Sequence, residues 1–336
     1  MQISHLLILG LGLFLTACTG SKVTTLGHIE RHVARFTDLV PEGATIEKLA
    51  DGFAWSEGPV WVREGEYLLF SDIPKNTIYR WDEASGIQVY LRPAGYIWSD
   101  PPGAELGTNG LVLDSDNRLV MADHGNRQIV RLDATNFTRT TLADRYDGKR
   151  LNSPNDLVIH SSGDIYFTDP PYGLADLNDN PAKELPINGV YRLHGDGSVS
   201  LLTDELTFPN GIAFSPDESI LYVANSDSER PVWMAYPVNA DGSIADGRVF
   251  FDASQLVQQG NQGAPDGMTV DRSGNLFATG PGGVLVISPE GEHLGTISTG
   301  ELIANCTFGG DGSTLYMTSH GILARVHTTT RGSGVE

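Results

Sequence analysis

The chain has 336 residues, of which 40% are hydrophobic, so it can bury a core large enough for one sizeable domain. Asp and Glu number 42 against 22 Lys and Arg, which gives a formal net charge of −20. Such an acidic surface repels phosphate backbones, so nucleic acid is excluded as a partner. The two cysteines, Cys18 and Cys306, are too few for a disulfide scaffold.

The N-terminus reads as a signal peptide. Residues 6–17 form an apolar run that is too short to span a membrane and ends in Leu-Thr-Ala before Cys18. This ending resembles the lipobox of bacterial lipoproteins, which predicts a lipoprotein signal peptide at residues 1–17 and lipidation of Cys18. Because Thr19 rather than Asp follows, we expect a cell-envelope lipoprotein at the outer membrane, facing the periplasm and touching the membrane only through its lipid anchor. The alternatives are an ordinary cleaved signal peptide and an apolar N-terminus that is not processed.

The remaining chain consists of short predicted strands separated by turns rich in Gly, Pro, Asn and Asp. One unit recurs about every 50 residues: a polar residue, usually followed by Gly, then an apolar strand, a turn and a second strand. The copies begin at Glu57, Asn109, Asn155, Asn210 and Asp266, and a degraded sixth copy spans residues 304–320, with Ala304 or Asn305 at its start. Six such units predict an all-β, six-bladed β-propeller, and a β-sandwich would give no reason for the repetition.

Other segments fit into the same plan. Residues 77–82 and 189–194 have matching sequences and are predicted third strands of their blades. Residues 45–49 are expected to pair with the last blade and close the ring, which removes exposed sheet edges. We assign residues 18–35 to a tether and lead-in and residues 36–336 to the propeller, which we take as the catalytic domain.

The residue that begins each unit, here called the leading residue, predicts a metal site. The inner strand of every blade lines the central channel, so the leading residues would meet at one mouth of that channel. Two carboxylates held together there would repel each other unless a cation lay between them. Oxygen donors of this kind predict one divalent cation, with Ca²⁺ preferred ahead of Mg²⁺ or Mn²⁺ and, last, Zn²⁺. The alternative is that the Asn-Gly and Asp-Gly pairs only form turns.

The second strand of each unit returns to the same face, so residues at its end would surround the site. These are Asp72, His124, Asp169 with the nearby Tyr172, Asn225 with Asp227, and His320. The carboxylates can also cap turns, whereas the two histidines are better candidates for contacting a substrate.

Five motifs in chain order resemble the gluconolactonase, or senescence marker protein/regucalcin, family, whose fold also serves diisopropyl fluorophosphatase. They are SEGPVW, LNSPNDLV, TDPPYG, FPNGIAFSPD and PDGMTVD. The resemblance covers residues 44–318 and implies metal ligands at Glu57, Asn155, Asn210 and Asp266. These are four of the five leading residues that the repeat selects.

The resemblance also bears on the substrate pocket. The motifs TNGL and ADHG are similar to those of the bacterial branch, and with them we predict substrate-binding roles for Asn109, His124, Tyr172 and His320. Vertebrate members carry an arginine that helps hold the substrate two residues before the asparagine matching Asn155. This chain has Ser153 there.

The reaction implied by the resemblance is metal-dependent hydrolysis of a small-molecule lactone or ester, with a cation-polarised carbonyl and an activated water. Asp266 is the predicted catalytic residue, accepting a proton from that water. The chain has no Gly-x-Ser-x-Gly motif, so covalent catalysis has no support. Two alternatives stay open: a phosphotriester or fluorophosphate hydrolase on the same site, and a non-catalytic binding propeller stabilised by calcium.

Overall fold

A computed structural model describes residues 24–98, 103 and 105–334. Within these residues the fold is almost entirely β-sheet, with one short α-helix, α1 (Ser254–Gln258). The predicted signal peptide and Cys18 lie outside the described residues, so both stay predictions. In the described part of the chain, no helix is both long enough and apolar enough to cross a bilayer.

Three strands come before the first complete blade: β1 (Thr24–Leu26), β2 (His28–Arg31) and β3 (Ile46–Asp51). Blade one contains β4 (Ser56–Val62), β5 (Tyr67–Asp72), β6 (Thr77–Asp82) and β7 (Gly86–Leu91). Blade two contains β8 (Thr108–Leu113), β9 (Leu119–Asp123), β10 (Gln128–Leu132) and β11 (Arg139–Ala143), followed by a small hairpin of β12 (Arg145–Tyr146) and β13 (Lys149–Arg150). Blade three contains β14 (Leu157–Ile159), β15 (Ile165–Asp169), β16 (Gly189–Leu193) and β17 (Val199–Thr203).

Blade four contains β18 (Pro209–Phe214), β19 (Ile220–Asp227), β20 (Arg230–Pro237) and β21 (Arg248–Asp252). Blade five contains β22 (Met268–Val270), β23 (Leu276–Gly280), β24 (Gly283–Ile287) and β25 (His293–Ser298). Blade six begins with β26 (Asn305–Gly309), β27 (Thr314–Ser319) and β28 (Ile322–His327). Short 3-10 helices lie at Ala34–Asp38, Arg63–Gly65 and Leu177–Asp179.

The six sheets form a closed six-bladed β-propeller, which confirms the predicted fold class. The first strands of neighbouring blades contact one another around the central axis. Strand β3 pairs with β28 as the outer strand of blade six, so the N-terminal segment closes the ring as predicted. The predicted third strands are also confirmed, because β6 and β16 are third in their sheets.

The lead-in carries two strands that the sequence pattern does not reveal. Strand β1 pairs with β3 at the outer edge of blade six, and β2 pairs with β25 at the outer edge of blade five. Residues 24–31 therefore belong to the propeller's sheets, although they lie within the segment assigned to the tether and lead-in. An outer edge needs few apolar side chains, and for this reason such strands lack a clear hydrophobic alternation.

The core lies between the faces of adjacent blades. Between blades five and six, the rings of Phe277 and Phe308 meet edge to face with centroids 5.0 Å apart, and both rings are fully buried. Phe36, from the 3-10 helix after β2, joins the same cluster. Burying an aromatic side chain of this kind stabilises the fold by about 1.5–3 kcal/mol.

Backbone crowding at the axis explains the glycine that follows the leading residue in four blades. A Cβ atom on Gly211 would lie 2.2 Å from the carbonyl oxygen of Asp266, and one on Gly58 would lie 2.1 Å from that of Asn109. In both cases the clash is with the backbone of the next blade. The glycines of the Asn-Gly and Asp-Gly pairs are therefore needed for the close packing of neighbouring blades. Tight-turn formation alone would not require them.

We expect Gly211→Ala to lower the free energy of unfolding by roughly 1–3 kcal/mol, because the methyl group must displace neighbouring backbone. Chemical denaturation measures the change. Gly43→Ala is the matched control, since a Cβ there meets nothing within 4 Å. Equal stability of the two variants would contradict the argument from crowding.

Candidate active site

A cavity of about 300 Å³ opens where the inner strands begin, at one mouth of the channel. A volume of this size suits a small ligand. Its lining residues are Trp55, Glu57, Ile73, Glu105, Asn109, Asn155, Tyr172, Asn210, Ser226 and Asp266. Three larger cavities, of about 460, 500 and 490 Å³, lie farther along the inner strands, beside blade five and beside the lead-in strands, and none of them gathers Glu57, Asn109, Asn155, Asn210 and Asp266.

The structure brings together most of the residues singled out in the sequence. All four predicted metal ligands line the cavity, and so do two of the predicted substrate-binding residues, Asn109 and Tyr172. Five of them are leading residues from five separate blades and meet because each occupies an equivalent point of the repeat, whereas Tyr172 comes from the segment after β15. Their roles stay predictions.

His124 lies elsewhere than expected. Its side chain is fully buried and does not line the cavity. Its Nε2 is 3.5 Å from Nδ2 of Asn109, and its Nδ1 is 2.8 Å from Oε2 of Glu105. The expected direct contact with substrate is therefore not supported, because Asn109 and Glu105 stand between this ring and the cavity. The position at a strand end indicates the face of the propeller but says nothing about depth.

His320 lies on the rim, beyond the lining residues. Its side chain is 51% exposed, and its ring centroid is 5.4 Å from the ring of Trp55. Trp55 lines the cavity, so the His320 ring contacts a lining residue while it does not line the cavity itself. This placement does not support the expected direct substrate contact either.

Four lining residues were not identified from the sequence: Trp55, Ile73, Glu105 and Ser226. Trp55 is close in sequence to a leading residue, and Ser226 is close to the end of a second strand. A search of the sequence neighbours of these positions would therefore have identified both. Glu105 lies between β7 and β8, in a segment with no counterpart in the repeat, so no pattern in the sequence pointed to it.

The ends of three second strands hold the backbone that leads into the site. In each case a buried side-chain oxygen accepts hydrogen bonds from main-chain N–H groups just before the leading residue of the same blade. The acceptors are Asp72 for Ala54 and Trp55 (3.0 and 3.3 Å), Asp169 for Asn152 and Ser153 (2.7 and 2.8 Å), and Asn225 for Phe208 (2.9 Å). These side chains fix the backbone that enters each leading residue, because main-chain N–H groups that donate to buried acceptors hold the loop in one path.

Negative charge is concentrated on the axis. Burial, followed by the charge of Asp156, raises the pKa of Glu57 to about 8. Burial also raises the pKa of Asp156 to about 7, and burial together with the charges of Glu57 and Asp156 raises that of Asp266 well above its usual value. Among the described residues, no Lys or Arg lines the cavity. The protein therefore supplies no cationic side chain at the wall to offset these carboxylates.

Comparison with known proteins agrees with this architecture. The family profile described as "SMP-30/Gluconolactonase/LRE-like region" matches residues 55–321. Over 314 residues the chain is 41% identical to a gluconolactonase of Zymomonas mobilis subsp. mobilis, with 92% of this chain and 88% of the relative covered.

Solved structures give the same result. A gluconolactonase from Xanthomonas campestris superposes with a TM-score of 0.79 at 33% identity, covering 92% of this chain and 98% of that one. A calcium-binding protein, regucalcin, from Agrobacterium tumefaciens superposes with a TM-score of 0.67 at 21% identity, covering 85% and 94%, and shares the fold. Profile, sequence and structure agree, and the chain belongs to the SMP-30/gluconolactonase/LRE-like family.

Proposed function

We propose that this protein is a metal-dependent hydrolase that opens a small lactone, or a related ester, in the axial cavity. The observation that carries the proposal is the convergence of Glu57, Asn155, Asn210 and Asp266, from four blades, on one cavity of about 300 Å³. Membership of a family that includes gluconolactonases supports lactone hydrolysis as the reaction class.

The cavity residues fit a divalent cation. Two carboxylates and two amides offer hard oxygen donors, and buried carboxylates without a cationic partner need a positive charge between them. In the described part of the chain, no group of three or more His, Cys, Asp or Glu side chains could hold a metal, so the amides are needed to complete the set. We propose Ca²⁺ because it accepts mixed carboxylate and amide ligands, with Mg²⁺, Mn²⁺ and Zn²⁺ as alternatives. The regucalcin structure shares only the fold, so this preference depends on donor chemistry.

When bound, the cation would supply positive charge to the carbonyl oxygen that becomes negative as the lactone opens. Asp266 is the proposed general base, because its carboxylate lies on the cavity wall and can accept the proton of the attacking water. Burial, followed by the charge of Asp266, raises the pKa of Tyr172. Its hydroxyl therefore stays protonated at neutral pH and can donate a hydrogen bond to the substrate.

Two other functions are distinguished by a substrate panel on the metal-loaded protein. A phosphotriester or fluorophosphate hydrolase would prefer those substrates to cyclic carboxylic esters. A binding propeller would turn over neither and would only lose thermal stability when the cation is removed. The family relationship favours the lactonase.

We expect Asp266→Asn to lower kcat/KM for glucono-δ-lactone by about 10²–10⁴-fold, because the amide cannot accept the proton. Steady-state kinetics with saturating Ca²⁺ measures the loss. Asp311→Asn, which changes an exposed carboxylate that does not line the cavity, is the control. Full activity of Asp266→Asn would rule out the general-base role.

We expect the free energy of unfolding of the cation-free protein to fall as the pH rises from about 4.5 to about 8. The pKa of Glu57 is raised from 4.5 to about 8, so over this interval the native state holds a proton that the unfolded state has released. Ca²⁺ at 100 times its Kd should add about 2.7 kcal/mol and flatten the dependence.

Chemical denaturation across this pH interval, with chelator or with Ca²⁺, measures both effects. The Glu57→Gln variant should show a smaller slope with pH in the cation-free state, since it lacks the titrating group. Stability that rises with pH in the presence of chelator would contradict the proposed charge cluster.

We also propose that the enzyme is a lipoprotein held at the outer membrane through Cys18, as the lipobox-like ending predicts. Cys18→Ser should move the protein from the membrane fraction to the soluble periplasmic fraction, because the thioether-linked lipid cannot form. Immunoblots of the two fractions measure this. Unchanged membrane association of the variant would contradict the anchor.

A further inference from the structure

Three buried polar atoms between blades two and three have no hydrogen-bond partner among the described residues. They are Nη2 of Arg127, Oδ1 of Asn152 and the hydroxyl oxygen of Tyr191. The exposed fraction is 3% for Arg127 and 0% for the other two residues. An unpaired polar atom in a protein interior costs free energy, and most such atoms are bonded either to protein or to an ordered water. The three atoms therefore require an explanation.

Two of these residues hold the same stretches of backbone. Nε of Arg127 donates to the carbonyl of Leu151, the residue before Asn152, at 2.7 Å. Nη1 of Arg127 donates to the carbonyl of Ala182 at 2.9 Å, and Nδ2 of Asn152 donates to that of Ile187 at 2.9 Å. Both side chains therefore connect the chain that enters blade three with the segment that precedes β16.

The hydroxyl of Tyr191 lies at the end of that segment. A Cβ atom on Gly189 would be 2.7 Å from the hydroxyl oxygen, and Gly189 is the sheet partner of Asp169. The carbonyl of Asp169 in turn accepts a hydrogen bond from Nδ2 of Asn152 at 2.9 Å. Burial, followed by the charge of Asp169, raises the pKa of Tyr191, so the hydroxyl keeps its proton. Tyr191 and Asn152 therefore border the same interior space.

The three atoms offer both donors and acceptors to this space. Nδ2 of Asn152 donates to two main-chain carbonyls and to Oδ1 of Asn188, which fixes the orientation of the amide and leaves its Oδ1 as a free acceptor. Nη2 of Arg127 can only donate, whereas the hydroxyl of Tyr191 can donate or accept. A water molecule, with two donors and two acceptor positions, can satisfy all three atoms at once.

The charges around the space match a neutral molecule better than an ion. Burial raises the pKa of Asp169 to about 7, although main-chain hydrogen bonds and the charges of Arg127 and Lys183 act in the opposite direction. The two cationic side chains oppose a bound cation. The carboxylate of Asp169 and the free Oδ1 of Asn152 oppose a bound anion.

We propose that Arg127, Asn152 and Tyr191 enclose a binding site for one ordered water molecule, which joins blade two to blade three and braces the backbone that enters blade three. Three hydrogen bonds are typical of a buried structural water. Asn152 comes shortly before the leading residue Asn155, so the water would stabilise the path of the chain into the axial cavity. The inference goes beyond the proposed hydrolysis and does not depend on it.

The sign of a stability change tests whether the hydroxyl of Tyr191 has a partner. Tyr191→Phe removes only this hydroxyl, and we expect the melting temperature to fall by roughly 1–5 °C, because a hydrogen bond to the water is lost. Removal of an unpaired buried hydroxyl would instead raise the melting temperature. Tyr166→Phe is the matched reference, since the buried hydroxyl of Tyr166 donates directly to the carbonyl of Gly242 at 2.6 Å. A melting temperature of Tyr191→Phe at or above that of the wild type would overturn the proposal.

A crystal structure of the wild-type protein tests the occupant directly. We expect one electron-density peak within about 2.7–3.2 Å of all three polar atoms. Crystals soaked in sodium bromide distinguish water from an anion, because a bound bromide scatters anomalously. An anomalous peak at this position, or no peak between the three atoms, would overturn the water site.

The bracing role is tested by hydrogen exchange measured with mass spectrometry. In Tyr191→Phe, we expect peptides that contain residues 151–155 to exchange roughly 2- to 12-fold faster, the change that corresponds to one hydrogen bond. Tyr166→Phe should leave these peptides unchanged, since Tyr166 packs in the core cluster shared with blade four. Unchanged exchange in Tyr191→Phe, or equal acceleration of all core peptides, would contradict a local brace.

Discussion

Around the axis, the backbone of each leading residue lies against the inner strand of the neighbouring blade, and much of the molecule depends on this contact. Gly211 leaves room for the carbonyl of Asp266, and hydroxyl groups of second strands bind other carbonyls of the same ring. Thr168 donates to the carbonyl of Asn210 at 2.7 Å, and Ser71 to that of Asn109 at 2.8 Å. Because their backbones are hydrogen-bonded to or packed against adjacent blades, the leading side chains meet in one cavity.

This convergence has an electrostatic cost. Glu57, Asp156 and Asp266 are buried near one another, and burial raises the pKa of all three. A sequence selected only for stability would place apolar or paired residues at these points. The cost is understandable if a cation occupies the axis, since the same oxygens that repel one another in its absence become its ligands.

The cavity combines two kinds of structure. The repeat supplies oxygen side chains at rigid positions near the starts of inner strands, whereas connecting segments supply part of the remaining wall. Glu105 lies between blades one and two, and Tyr172 lies in the segment between β15 and β16 of blade three. Such connecting segments vary more freely than the strands they join. In this fold the chemistry of the axis and the choice of substrate can therefore change independently.

The sequence by itself determined the six blades, the closure by residues near Ile46, and six of the cavity residues. A period near 50 places the five leading residues at equivalent points, and the position near a second-strand end identified Tyr172. Only the tertiary structure decided how deep a side chain lies. It put His124 behind Asn109, His320 on the rim and Glu105 on the wall. Depth depends on how neighbouring blades and loops pack against a residue. Outer-edge strands such as β1 and β2 likewise depend on a pairing partner far away in the chain. The depth of a side chain and the pairing of an edge strand therefore leave no local pattern in the sequence.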